Sequence, residues 1–188
     1  STVPPPYKVA IIGGGIAGCA TARRLAQLDA AAQITLYEIG RGPGGRASTR
    51  KSRSLPQLRV NHGAPYADIS TIQGRALVTA LGPSCTVPFD GVRGSLHART
   101  GRFQPHNEDS NVNGEYITGV QGDMSQISAS LMENEDVSAS IDTQYQTMAW
   151  GLARTARGAW QLQDQDQNVL GTTDWLVVAG SGVAHPRW

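Results

Sequence analysis

The sequence predicts an α/β protein built on a parallel sheet, with a small antiparallel β insertion. Three features of the first forty residues carry that expectation. Residues 8–13, KVAIIG, are a short β-branched apolar run of the kind that fills a strand buried on both faces. Gly13, Gly15 and Gly18 follow as G-x-G-x-x-G and open a stretch, 16–28, that sets Ile16, Ala20, Leu25 and Leu28 at helical spacing. QITLYE, 33–38, reads as the next strand, so strand, helix and strand fit the roughly 30 residues of one βαβ unit.

The glycine turn has a job for each member. The first glycine permits a tight turn off the strand, the second lets backbone approach a pyrophosphate, and the third lets helix and strand pack closely. The helix behind the turn offers unpaired N–H groups and the positive end of its dipole to an anion. Glu38 closes the second strand twenty residues past Gly18, placed to accept hydrogen bonds from a ribose hydroxyl and to repel a 2′-phosphate. A dinucleotide-type architecture follows, and an NADP-type ligand in this cleft is disfavoured.

Further along, RGPGGRAST, 41–49, reads as a loop followed by a short helix, and SRSLPQL, 52–58, as an exposed excursion. RVNHGAPYADI, 59–69, reads as a strand that turns at Gly63, and TIQGRALVTALG, 71–82, as a helix ending at Gly82. Residues 85–120 alternate short apolar runs with Gly, Asn and Pro, which predicts a small antiparallel sheet. Residues 124–132 are helical by spacing, 137–155 form one long or two short strands, and two further strands flank a turn at 165–168. The expected organisation is a tail over 1–7, a first part of the cofactor domain over 8–69, an insertion over 70–118, and a second part of the cofactor domain over 119–188.

At 188 residues the chain is long enough to bury a core without staples. Cys19 and Cys85 make neither a disulfide framework nor a zinc spacing, and nothing in them points to an oxidising compartment. The net charge of +1 hides an asymmetry. Residues 39–67 hold six bases and no acid, whereas 108–174 hold eleven acids and two bases. The basic segment suits phosphate, the acidic remainder argues against a nucleic-acid groove, and a solvated loop is the plainer reading of the arginines. No run approaches the ~18 apolar residues of a transmembrane segment. The chain starts STVPPPY without an initiator Met; the expectation is a removed leader, which would suit an organelle, or a late start.

The second loop, RGPGGR, bears on which dinucleotide is held. Simple NAD dehydrogenases need no glycine pair and arginine just past the acid, whereas Gly44 and Gly45 permit a close ligand approach and Arg46 suits either pyrophosphate or flavin charge. Here the sequence resembles the flavin amine-oxidase superfamily and, within it, the renalase-like branch. VAIIGGGIAGCATARRL is similar to the family's FAD fingerprint, and YEIGRGPGGRAST to its acid followed by R-x-G-G-R. VNHGAPYAD resembles the segment beside the flavin ring, with Asn61 where the family usually has an acid. EYITGVQGDMSQI resembles the tract before the second cofactor-domain helix, with one extra residue between Gly122 and Met124.

The resemblance implies a Rossmann-type FAD/NAD(P)-binding fold and FAD as cofactor. It puts Gly13, Gly15, Ile16, Ala17 and Gly18 along the phosphates, Glu38 on the ribose, and Gly44, Gly45 and Arg46 near the flavin side of the pyrophosphate. Gly63 and Ala64 would approach the isoalloxazine, Tyr145 would lie under the adenine, and Gly180 would pass close to it. The family continues well beyond the equivalent of residue 188, so the resemblance also implies a chain that continues. The implied activity is hydride transfer from an amine or a dihydronicotinamide to flavin. The alternative is a non-catalytic interaction subunit, with partner chains covering an open C-terminal sheet edge.

Lys8 and Lys51 are the only lysines, and neither takes a catalytic role. His62 is the best placed of four histidines, with a hydrogen-bonded bystander as its plainer reading. His97 and His106 lack ligand spacing, so no metal site is expected. The GSG at 180–182 is not a nucleophile elbow, and Asp164 and Asp166 read as a solvated turn pair.

Overall fold

A computed structural model describes residues 5–106, 115–133 and 140–180. The elements in chain order are β1 (Tyr7–Ile12), α1 (Ile16–Leu28), β2 (Ala32–Glu38), β3 (Thr49–Lys51), β4 (Arg59–Asn61), β5 (Ala67–Asp68) and α2 (Ile72–Leu81). Then come β6 (Thr86–Pro88), β7 (Gly94–Leu96), β8 (Phe103–Pro105), β9 (Tyr116–Gly119) and α3 (Ser125–Met132). The described residues end with β10 (Ile141–Tyr145), β11 (Gly151–Arg154), β12 (Trp160–Gln163), β13 (Val169–Thr173) and β14 (Trp175–Val178).

The centre is a parallel sheet in the order β10-β2-β1-β14. Its middle strand, β1, pairs on one side with β2 (Ile11↔Leu36) and on the other with β14 (Ile11↔Val177). Alternation along β1 divides the core into two layers. Val9 and Ile11 face the helices, packing with Cys19 and Ala22 of α1 and with Ile127 and Leu131 of α3. Ala10 and Ile12 face the other way, against Leu162 of an antiparallel platform, β11-β12-β13. A strand covered on both faces must be apolar throughout, which is why KVAIIG contains no polar residue after its first.

The predicted βαβ unit is present, with α1 over 16–28 as its spacing implies. Helix α2 ends at Gly82 as the sequence indicates, and the structure adds a cap at its start. The Thr71 side chain accepts a hydrogen bond from the Gly74 amide at 3.0 Å, and Gly82 closes the helix at φ +78°. The antiparallel region forms two separate sheets, β5-β9-β6 and β7-β8, where the sequence suggested a single one. The segment 137–155 resolves into two strands in different sheets: β10 extends the parallel sheet and β11 begins the platform. Positions 181–188, with His185 and Trp188, lie outside the described residues, as does Glu108. Among the described residues no helix is long and apolar enough to cross a membrane.

Candidate functional site

A cleft of about 690 Å³ opens at the carboxyl ends of β1, β2 and β10, where parallel α/β sheets place their ligand sites. One wall is the turn between β1 and α1. Gly13 sits at φ +107°, and a β-carbon there would lie 2.9 Å from the Gly180 amide, so only glycine permits this corner. Gly15 caps α1 without a side-chain cap, and the first turn of the helix carries no acid. No acid of the helix's own first turn therefore meets the positive end of its dipole, and the nearest carboxylate is that of Glu38 on the Gly14 amide. Ile16 and Ala17, the first two helical residues, line the cleft.

The facing wall is the second glycine loop. The Gly44 amide donates to the Gly14 carbonyl at 2.7 Å, and Gly15 and Gly44 form an isolated parallel bridge. Gly44, Gly45 and Arg46 all line the cleft, with the Arg46 side chain exposed at its rim. Ala64 completes this side, anchored by its amide on the Arg46 carbonyl at 2.8 Å.

Glu38 is buried between the walls. One carboxylate oxygen accepts the Gly14 amide and the other the Gly40 amide, each at 2.6 Å. Each oxygen keeps a lone pair beyond those bonds, which leaves the carboxylate able to accept from a ligand hydroxyl while two fixed amides hold it in place. Burial, with the Glu38 charge adding to it, pushes the Cys19 thiol up to about 12. Burial likewise raises the phenols of Tyr37, which lines the cleft, and Tyr145.

The structure thus brings ten of the anticipated residues to one cleft: Gly13, Gly15, Ile16, Ala17, Glu38, Gly44, Gly45, Arg46, Ala64 and Gly180. Three others stand behind it. Gly18 packs where a β-carbon would strike the Gly13 carbonyl oxygen, which is the close helix–strand contact expected of the third glycine. Gly63 lies against the Arg46 carbonyl in the same manner. Tyr145 is paired with Glu38 at the end of β10 and is not a lining residue. The lining on that side comes instead from Thr147, Met148 and Ala149. The Thr147 amide donates to the Glu38 carbonyl and the Gln146 amide to the Gly40 carbonyl, so this segment folds across the end of β2. Recognising 141–145 as a strand of the parallel sheet would have exposed them, because whatever follows such a strand's carboxyl end faces the ligand side.

His62 is exposed, with Nε2 hydrogen-bonded to the Ser48 hydroxyl at 2.8 Å; that hydroxyl donates to the Gly45 carbonyl. His97 and His106 are engaged by Thr100 and Ser95 respectively. Lys51 meets Asp123, its Nζ 3.3 Å from a carboxylate that is almost wholly buried. Burial opposes the Asp123 charge, but hydrogen bonds from Ser125 and Lys51, with the Lys51 charge, hold its carboxyl below the usual range. Asn61 donates to the Gly122 carbonyl at 2.9 Å beside this pair.

Residues 11–77 match the family described as NAD(P)-binding Rossmann-like domain. The (S)-6-hydroxynicotine oxidase of Paenarthrobacter nicotinovorans is 42% identical over 60 residues, covering 32% of this chain and 14% of that enzyme. A solved protein from Exiguobacterium sp. 255-15, provisionally named a protoporphyrinogen oxidase, superposes with TM-score 0.64 at 14% identity, over 92% of this chain and 59% of that one. RAB GDI from Plasmodium falciparum superposes with TM-score 0.62 at 8% identity, over 97% and 67%. The two superpositions show the fold. The match to the oxidase bears out, over the N-terminal region, the likeness to flavin amine oxidases read from the motifs. The matched residues cover about a seventh of the length of the oxidase and about three fifths of the Exiguobacterium protein.

Proposed function

We propose that the chain is the dinucleotide-holding part of an FAD-dependent oxidoreductase of the amine-oxidase type. The observation that carries this reading is the second glycine loop, hydrogen-bonded to the first through Gly44 and Gly14 and walling the same cleft. A dinucleotide site of the simple NAD kind has no use for it. The cleft also passes a test of fit. Its volume lies within the roughly 300–1,000 Å³ of small-molecule and cofactor sites. A β-carbon at Gly15 would meet nothing closer than 3.8 Å, so the space in front of that glycine is kept clear.

In this reading the amides at Gly15, Ile16 and Ala17 face the diphosphate and Arg46 offsets its charge from the rim. Glu38, fixed by Gly14 and Gly40, accepts from a ribose hydroxyl. Gly180 bounds the adenosine end and Ala64 the isoalloxazine end. Bound FAD would supply two-electron redox chemistry. This chain's residues contribute binding and orientation, and the substrate class is an amine or a dihydronicotinamide. Titration of the purified chain with FAD, followed by flavin absorbance near ~450 nm and by quenching of flavin emission, tests the reading. One FAD per chain, not displaced by excess NADP, is the expected result; failure to take up flavin at all overturns it.

A second reading rests on β14. This edge strand of the parallel sheet leaves Trp175 two-thirds exposed, and among the described residues no strand pairs with its outer side. A non-catalytic subunit whose partner chain covers that edge accounts for it. Cross-linking of a reactive group at position 178 to a second polypeptide, in material free of flavin, would favour this alternative.

A further inference from the structure

The β3–β4 hairpin has two unlike faces. Its register pairs Thr49 with Asn61, Arg50 with Val60, and Lys51 with Arg59. Alternate residues of a strand point to opposite sides. Lys51 and Asn61 face inward, to Asp123 and the Gly122 carbonyl. Arg50 and Val60 face outward, and both are exposed.

The loop joining the strands is organised by its own hydrogen bonds. The Ser52 amide donates to the Leu58 carbonyl, the Leu58 amide to the Leu55 carbonyl, and the Leu55 amide to the Ser52 hydroxyl. Every residue from 53 to 58 is exposed, including Arg53, and Leu55 and Leu58 each keep about half their surface in water. No acid occurs between residues 39 and 67. Arg50 and Arg53 make no ion pair among the described residues. An ordered tip that projects two leucines, beside an apolar valine and two free guanidinium groups, is unlike a merely solvated loop, which would be polar at its apex.

We propose that this hairpin docks the protein on an anionic lipid bilayer, its leucines entering the interfacial layer and its arginines meeting the headgroups. Exposed apolar side chains flanked by cations suit a bilayer, which yields around the leucines while the cations stay in the headgroup layer. An acidic polypeptide would satisfy the arginines but leave the leucines in water. The proposal is independent of flavin binding, since neither Leu55 nor Leu58 lines the cleft.

The test is flotation of the full chain with vesicles of phosphatidylcholine alone and with about 30% phosphatidylserine, at about 0.1 M salt. The expected result is about tenfold stronger binding to the anionic vesicles. Leu55→Ser/Leu58→Ser and Arg50→Gln/Arg53→Gln should each weaken it about fivefold or more, with cooperative unfolding retained and the midpoint lowered only modestly, since the arginines are exposed and the leucines half exposed. Equal binding to both vesicle types overturns the proposal, as does full binding by the leucine variant. Capture by a polyglutamate peptide that depends on the arginines and ignores the leucines would also overturn it, in favour of an acidic polypeptide.

Discussion

The Gly44 amide and the Gly14 carbonyl are joined by a 2.7 Å hydrogen bond that ties together two glycine loops 30 residues apart in sequence. The bond makes the two walls of the cleft a single unit, and the glycines within it have separable duties.

Gly15 and Gly18 should respond oppositely to a side chain. Gly15 has ordinary extended dihedrals (φ −74°, ψ 179°), and the nearest atom to a β-carbon there is 3.8 Å away. Gly15→Val is expected to cost about 1 kcal/mol or less of stability, the difference between glycine and valine at a helix cap, while weakening FAD at least about tenfold, or about 1.4 kcal/mol. Gly18→Ala is expected to lose about 1–3 kcal/mol of stability by driving a methyl into the Gly13 carbonyl. Paired urea unfolding and flavin titration separate the two effects; a Gly15 variant that binds flavin normally would remove the diphosphate from this turn.

Asp123 should give the fold an acid-sensitive component. An aspartate whose folded value lies below its unfolded value of about 3.9 stabilises the fold at all pH above the latter. That contribution fades as the pH falls through the folded value. Stability measured from pH 6 to 2 should therefore drop below about pH 4, and Asp123→Asn should flatten the drop. Lys51→Met should also destabilise, because it leaves a buried Asp123 oxygen without its partner, although the exposure of Lys51 screens part of the loss.

Cys19 should be chemically silent. Its thiol is fully buried, shares a 3.4 Å contact with the Gly14 carbonyl, and is pushed up to about 12. Thiol reagents at about pH 8 should label it only after denaturation, because the thiolate is the reacting form. Labelling of the native chain at the rate of an open thiol would contradict the buried placement.

Gln146 holds a left-handed conformation, φ +54°, immediately before the cleft residues Thr147 to Ala149. Gln146→Gly should be neutral or add up to about 1 kcal/mol, whereas Gln146→Val should cost more than that. A stabilising valine would show that the turn is not the one described.

What the sequence made legible is what local chemistry determines. The limits of α1 and the end of α2 at Gly82 follow from spacing and from residue type within a single turn. The first glycine turn, the buried acid and the second loop were assembled from motifs whose spacing is itself a consequence of the βαβ geometry. The missed features depend on partners distant in sequence. Ile141 pairs with Ile34 across more than 100 positions, and no periodicity within 141–145 announces a parallel edge strand. Lys51 and Asp123 carry no motif. The two departures from the flavoenzyme pattern, Asn61 and the extra residue before Met124, turn out to be neighbours, with Asn61 bonded to Gly122 and a carboxylate returned beside it by Asp123. Only the folded chain shows that the second change stands near the first.

The join between β13 and β14 is a single residue, Asp174, whose amide donates to the Lys8 carbonyl and whose carboxylate accepts the Lys8 amide at 2.8 Å. A hinge needs slack, and one residue clamped at both ends has none. The antiparallel layer and the strand leading to Gly180 are therefore fastened to the central strand through one shared residue, which fixes the platform's starting point relative to the Gly13 corner.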